Sequence, residues 1–190
     1  MTKREFNIVG LNAAGLSSKL HSFDKLLTVL TPSVFCIQES RMKSQSRIKT
    51  ENTKNYTIYE ILRKSSNGGG LAIGVHNDLT SAWVSDGETS NFPICIVNGY
   101  GPQENDSVKR KQKFWSRLGQ EVEDSLSSDS GFILEMDGNL HIGSETIPGD
   151  PNFCNNNGKL LKTFLAKFPQ LKLVNSSNLC SGVITRMRKL

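Results

Sequence analysis

A layered α/β domain is the fold class this sequence predicts. Three observations carry the prediction. Short apolar runs of strand length recur along the chain, apolar residues at helical spacing lie between several of them, and Pro, Gly and Asn punctuate the joints.

The first run, Phe6-Asn-Ile-Val-Gly-Leu11, reads as a strand. Leu20, Phe23, Leu26, Leu27 and Leu30 follow at helical spacing, with Ser17 or Ser18 as the expected N-cap and Pro32 as the stop. Ser33-Val-Phe-Cys-Ile-Gln38 is a buried strand. Strand, helix, strand predicts a parallel pair with a helical crossover. Residues 41–54 are basic and polar and read mostly as loop. Tyr56-Thr-Ile-Tyr-Glu-Ile61 alternates, Asn67-Gly-Gly-Gly70 marks a turn, and Leu71-Ala-Ile-Gly-Val75 returns, so a hairpin is expected. Residues 92–97 form a further strand that ends in Asn98-Gly-Tyr100-Gly-Pro102. Ser107 caps a longer helix whose apolar face is Val108, Trp115, Leu118, Val122 and Leu126. Gly131-Phe-Ile-Leu-Glu-Met136 is a strand that delivers Asp137-Gly-Asn139. A loop rich in Pro, Gly and Asn covers 143–158, a helix runs over 159–168, and residues 171–175 make the last clear strand.

Composition narrows the function classes. The 190 residues suit one domain. The longest apolar runs are far short of the roughly twenty residues a membrane helix needs, and the N-terminus has no apolar signal core. An intracellular protein, nuclear or cytoplasmic and without a membrane partner, is expected. The net charge is +5, yet seven of the 23 basic residues and none of the 18 acidic ones lie beyond Asp150. That skew suits a polyanionic partner, and it equally suits a chain that stops before its fold's later carboxylates. The four cysteines make no C-x-x-C pair, which argues against a zinc cage, and Cys36 and Cys95 read as buried, reduced thiols.

Four polar positions stand at the ends of buried strands: Asn12, Glu39, Tyr100, and Asp137 with Asn139. Ligand groups gather at the carboxyl ends of strands in α/β sheets. If these strands lie side by side, the ends form one oxygen-rich cleft, suited to a hard cation such as Mg²⁺ that polarises a phosphate oxygen. Polar residues also follow strands simply because strands end at the surface; the ordered set of four makes that reading weaker.

The segments Asn7-Ile-Val-Gly-Leu-Asn-Ala-Ala-Gly-Leu16, Ile37-Gln-Glu39, Gly69-Gly-Leu-Ala-Ile73, Val97-Asn-Gly-Tyr-Gly-Pro102, Asp137-Gly-Asn-Leu-His141 and Asn157-Gly-Lys-Leu-Leu161 carry a resemblance over nearly the whole chain. The sequence resembles the endonuclease/exonuclease/phosphatase superfamily, and within it the endonuclease domains of LINE-type (non-LTR) retrotransposons. The resemblance implies a four-layer, deoxyribonuclease I-like α/β sandwich, a single domain over 1–190 that is C-terminally incomplete. It implies Mg²⁺ (or Mn²⁺) as cofactor, DNA as partner, and a reverse-transcriptase module in a longer parent protein. Asn12 then helps hold the metal site, Glu39 is the main metal ligand, and Tyr100 contacts the scissile phosphate. Asp137 orients or activates the attacking water, and Asn139 hydrogen-bonds the phosphate and Asp137. The implied reaction is one-step phosphodiester hydrolysis by a metal-assisted water.

The departures shape the expectation. Leu11 replaces the usual large residue before the Asn, and Glu135-Met136 replaces the usual Gly before the Asp. Residues 85–91 join two segments where the family has another strand. The family's closing Ser-Asp-His motif is absent, and His21, His76 and His141 are the only histidines. His141 is the one of the three that matches a retrotransposon position. Groups of the missing kind contribute on the order of 10²–10⁴ in rate, so the chain is expected to be a degenerate nuclease. A non-catalytic nucleic-acid-binding remnant, a fragment without its own function, and a phosphatase of small esters are the alternatives. Lys109, Arg110 and Lys111 sit in a helix's first turn, where positive charge opposes the macrodipole; they read either as phosphate contacts or as a solvated face. Residues 186–189 read as a DNA-backbone grip or a frayed end, and Thr185 lies near a position where the family places a hydroxyl.

Overall fold

The computed structural model describes residues 6–43, 48–62, 69–79, 94–128, 130–143 and 152–174. Strands β1 (Ile8–Asn12) and β2 (Val34–Gln38) are parallel, in register from Ile8 on Val34 to Asn12 on Gln38, and α1 (Leu20–Leu30) is their crossover. The hairpin of β3 (Tyr56–Ile61) and β4 (Leu71–His76) adds to β2 through β4, giving the order β1-β2-β4-β3. A second sheet pairs β5 (Ile94–Tyr100) with β6 (Gly131–Asp137), again parallel, with α2 (Val108–Ser127) between them in sequence. Helix α3 spans Asn156–Lys167.

The period of two in each strand separates the layers. Phe35 and Ile37 of β2 point to one face and pack with Phe23 and Leu27 of α1, Leu11 and Ala72. The Phe35 ring meets Phe23 edge-on at 5.1 Å and Tyr56 at 5.1 Å. It lies over Gly74, where any Cβ would overlap it. In the second sheet Val97, Phe132, Leu134 and Met136 face Trp115, Leu118 and Val122 of α2 and Leu161 and Phe164 of α3. Helix, sheet, sheet, helices is the resulting stack, and the four-layer α/β class is borne out.

Several boundaries differ from the sequence reading. Neither Ser17 nor Ser18 caps α1; both belong to a 3-10 turn, Ser17–Lys19, and Lys19, with φ of −124°, stands at the N-cap without a side-chain cap bond. A second 3-10 turn, Asn52–Asn55, lies in the stretch expected to be loop. Ser107 does cap α2, accepting from the Arg110 N–H. Val108 and Leu126 are 69% and 42% exposed rather than buried, because α3 crosses only the middle of α2. Helix α3 begins three residues early: the Asn155 side chain accepts from the Gly158 N–H, so the Asn run that reads as loop is a cap. Residues 171–174 form no strand; Leu171 and Leu173 pack onto the second core instead. The joint at 85–91, Thr185 and the basic cluster at 186–189 lie outside the described residues.

Candidate active site

Two parallel pairs place four carboxyl strand ends on one side of the molecule. Asn12 and Gln38 are register partners in the first sheet, and Tyr100 and Asp137 are partners in the second. The ends meet across the gap. The Asn12 side-chain amide donates to Asp137 Oδ2, and the Tyr100 hydroxyl donates to Glu39 Oε1 at 2.5 Å. Asp137 Oδ1 accepts from the Asn139 N–H at 3.1 Å, and the Asn139 amide donates to the Gly101 carbonyl at 3.0 Å. All five positions singled out in the sequence are thus joined in one constellation built from both sheets.

Its backbone is strained. Ala14, Glu39, Arg41 and Asn139 have φ of +45°, +50°, +54° and +47°. Left-handed backbone at non-glycine residues costs on the order of 1–3 kcal/mol each and clusters where function demands it. The surroundings hold these turns. Gly15 N–H donates to the Glu39 carbonyl, and Ser40 N–H to the Gly70 carbonyl. Asn155 and the fully buried Asn157 both donate to the Asn139 carbonyl, at 3.2 and 3.1 Å, while Asn157 also donates to Pro102. The start of α3 therefore braces the loop after β6.

Three more side chains complete the site and were not foreseen. Arg41 donates to Glu39 Oε2 at 2.8 Å. Gln103 donates to the Tyr100 hydroxyl at 2.6 Å. Both lie close in sequence to foreseen residues, but no spacing rule reads a turn partner from a loop. The third is Glu135, which shares the sheet-facing side of β6 with Asp137. It lies where a Cβ on Gly10 would overlap its carboxyl group.

Burial sets the protonation of this interior. Tyr100 is pushed up to about 12, by burial first and then by its bond to Glu39, so it stays a neutral donor. Burial, and then the Glu135 charge, pushes the Cys36 thiol to about 12, which keeps it unreactive. Burial raises Glu135 above the ordinary value of 4.5. The folded chain therefore holds this proton more tightly than the unfolded chain. Stability is fully present below pH 4.5 and falls as pH rises through the raised folded value. Glu135→Met should remove that slope and raise stability at pH 8 by about 1–3 kcal/mol. Urea midpoints of parent and variant at pH 4.5 and pH 8 check this; an equal gap at both would show that no buried charge is involved.

The donor set is all oxygen: Glu39, Asp137 and the Asn12 amide. Among the described residues no group of three His, Cys, Asp or Glu converges. One or two carboxylates fit Mg²⁺ or Mn²⁺ retaining several waters and do not fit zinc. Asn12 Oδ1 accepts from the Ala14 N–H at 2.9 Å while its amide ties β1 to Asp137, so Asn12 holds the strand end in place beside the carboxylates.

The remaining candidates lie apart. His21 is exposed on α1. His76 ends β4 against Tyr56, at the opposite end of the sheet from Glu39. His141 packs on the Phe153 ring, centroids 5.0 Å apart. Lys109 and Arg110 are exposed, and Arg110 pairs with Asp106 at 3.0 Å. Lys111 departs from the phosphate-contact reading: it is buried, and its ammonium donates to the Glu104 carbonyl at 2.5 Å. It turns inward because the helix's first turn folds over residues 102–106.

No protein-family model and no curated protein sequence matches the chain. Solved structures do. An AP endonuclease from Archaeoglobus fulgidus is 16% identical with a TM-score of 0.61, covering 86% of this chain and 71% of its own. The 3′ phosphatase NExo from Neisseria, bound to a product DNA hairpin, is 15% identical at TM-score 0.61, covering 85% and 71%. The AP endonuclease LMAP from Leishmania major is 15% identical at TM-score 0.63, covering 85% and 66%. The fold is the one these enzymes share, and the chain spans about two thirds of the length of LMAP.

Proposed function

We propose that this chain hydrolyses phosphodiester bonds of DNA with the help of Mg²⁺ or Mn²⁺ at Glu39. The observation that carries the proposal is the cross-sheet meeting of Asn12, Glu39, Tyr100, Asp137 and Asn139 in strained turns. Similarity to AP endonucleases and to a DNA-bound 3′ phosphatase supports a nucleic-acid phosphoester as substrate. Bound at this site, the cation would polarise the phosphate and offset developing charge. The chain's own residues do the rest. Asp137, fixed by donors from β1 and from its own loop, orients the attacking water. Tyr100, held neutral, would turn its single O–H from Glu39 Oε1 to the phosphate when substrate enters. Asn139 presents its amide beside both.

The finer reading is an endonuclease of the LINE-type retrotransposon kind, a single domain joined to a reverse transcriptase in a longer parent protein and working in the nucleus or cytoplasm. We further propose that cleavage is weak, because His21 and His76 stand away from the site and His141 packs on Phe153. Loss of one such partner slows turnover by roughly 10²–10⁴. The expected outcome is slow, Mg²⁺-dependent nicking of supercoiled plasmid, abolished in Glu39→Gln. Nicking that persists in the variant, or without a divalent cation, would overturn the assignment.

A second reading has its own observation. Both Glu39 oxygens and both Asp137 oxygens already accept hydrogen bonds, an arrangement that also suits a DNA binder without chemistry. It predicts no nicking, with DNA binding that weakens steeply with salt and is indifferent to Glu39→Gln.

A further inference from the structure

We infer that Gln38 and Asn98 are positioning residues for the site proposed above, a reading on which this inference rests. They lock the two sheets together one step inside the site and thereby set Tyr100 against Glu39.

Gln38 is the last residue of β2, directly before Glu39, and only 1% of its surface is exposed. Asn98 lies on β5 two residues before Tyr100, hence on the same face of the strand. Gln38 Nε2 donates to Asn98 Oδ1 at 2.7 Å. Asn98 Nδ2 donates to the Ile37 carbonyl at 3.0 Å and to the Ala72 carbonyl at 2.8 Å. Ile37 and Ala72 are register partners on β2 and β4. One asparagine side chain thus ties β5 to two strands of the other sheet, with its oxygen and both amide hydrogens engaged.

Facing sheets ordinarily interdigitate apolar side chains. Apolar packing tolerates small slides, whereas a buried amide left without its partners carries a full desolvation cost. A satisfied polar pair therefore fixes registration that packing alone leaves loose. The registration matters because the site is divided between the sheets: Glu39 and Asn12 come from one, Tyr100, Asp137 and Asn139 from the other. The Tyr100–Glu39 bond spans the same gap one step further out. Displacements of about 1 Å at such a contact can cost on the order of 10² in rate.

The test reads geometry rather than turnover. The chain has three tyrosines, Tyr56, Tyr59 and Tyr100, so 3-fluorotyrosine labelling gives three ¹⁹F lines, that of Tyr100 assigned with Tyr100→Phe. Mn²⁺ is added to the same small fractional occupancy in each protein, read from its EPR signal, because relaxation by the ion falls as the inverse sixth power of distance and a filled site would erase the line at either geometry. In the parent the Tyr100 line should broaden selectively, and Glu39→Gln should abolish the effect. Gln38→Met removes one hydrogen bond and leaves Asn98 on its two carbonyls. It strands Asn98 Oδ1, so the melting midpoint should fall by a few degrees, while the folded variant should still bind Mn²⁺ yet broaden the Tyr100 line several-fold less at equal occupancy; Asn98→Leu should do the same where it folds. A merely structural role would lower the midpoint and leave the broadening of the folded protein intact. Broadening of the Tyr100 line undiminished in folded Gln38→Met overturns the inference alone. A Tyr100 line that ignores Mn²⁺ in the parent overturns both the inference and the metal site beneath it.

Discussion

Asp137→Asn is expected to reduce Mg²⁺-dependent nicking by a further 10²–10⁴-fold, roughly the range for loss of a group that directs proton transfer. The substitution keeps the shape of the side chain and removes its charge. One carboxylate oxygen accepts from the Asn12 amide of the other sheet, and the other accepts from the Asn139 N–H. The Asp137 carbonyl accepts from the Gly101 N–H at 2.7 Å, which holds the strand end itself. With its backbone and both oxygens fixed, the carboxylate presents a directed acceptor to a water in the cleft. An amide there sets NH₂ against NH₂ toward Asn12, or swaps the acceptor for a donor toward Asn139. Single-turnover nicking at saturating DNA and Mg²⁺ measures the loss, and melting measured in parallel confirms the fold. A reduction below tenfold in a folded variant would mean that another group orients the water.

The parts of this site that were legible in the sequence share one physical reason. Asn12, Glu39, Tyr100 and Asp137 each stand at or just past the end of a short apolar run that reads as a strand, and the helix between the first two strands predicts that they are parallel. Position along the chain then dictates position in space. The hairpin of β3 and β4 is legible in the same way, from alternation and a glycine turn. What was hidden depends on side chains crossing a gap that no periodicity encodes. Glu135 reads as a polar interruption in a strand, and only the sheet opposite reveals that it lies against Gly10. Lys111 reads either as a phosphate contact or as part of a solvated face, and only the structure shows it buried with its ammonium on the Glu104 carbonyl. The helix boundaries failed for a local reason. Asn155 caps through its side chain, a role that asparagine in a loop fills equally often elsewhere.

The largest effect on stability is expected from Phe35→Ala, at about 3–5 kcal/mol, or a fall in melting midpoint of roughly 6–20 °C for a chain of this size. Phe35 is 1% exposed and sits at the centre of the first core. Rings lie against it from two elements, Phe23 of α1 edge-on and Tyr56 of β3 tilted. Gly74 of β4 offers it a flat floor with no Cβ. Collapse into the space left by the ring is hard for each neighbour. Phe23 is held by its helix, Tyr56 by its hydroxyl bond to the Pro32 carbonyl at 2.9 Å, and Gly74 has no side chain to move. The cavity therefore stays largely open, which places the cost toward the upper part of the range. Phe35 is also the second residue of the strand that ends at Gln38, directly before Glu39, so the same packing anchors the site from below. Urea unfolding of parent and variant gives the difference directly. A loss under about 1 kcal/mol would mean that α1 and the hairpin close over the gap, and that β2 owes its placement to the facing sheet rather than to this core.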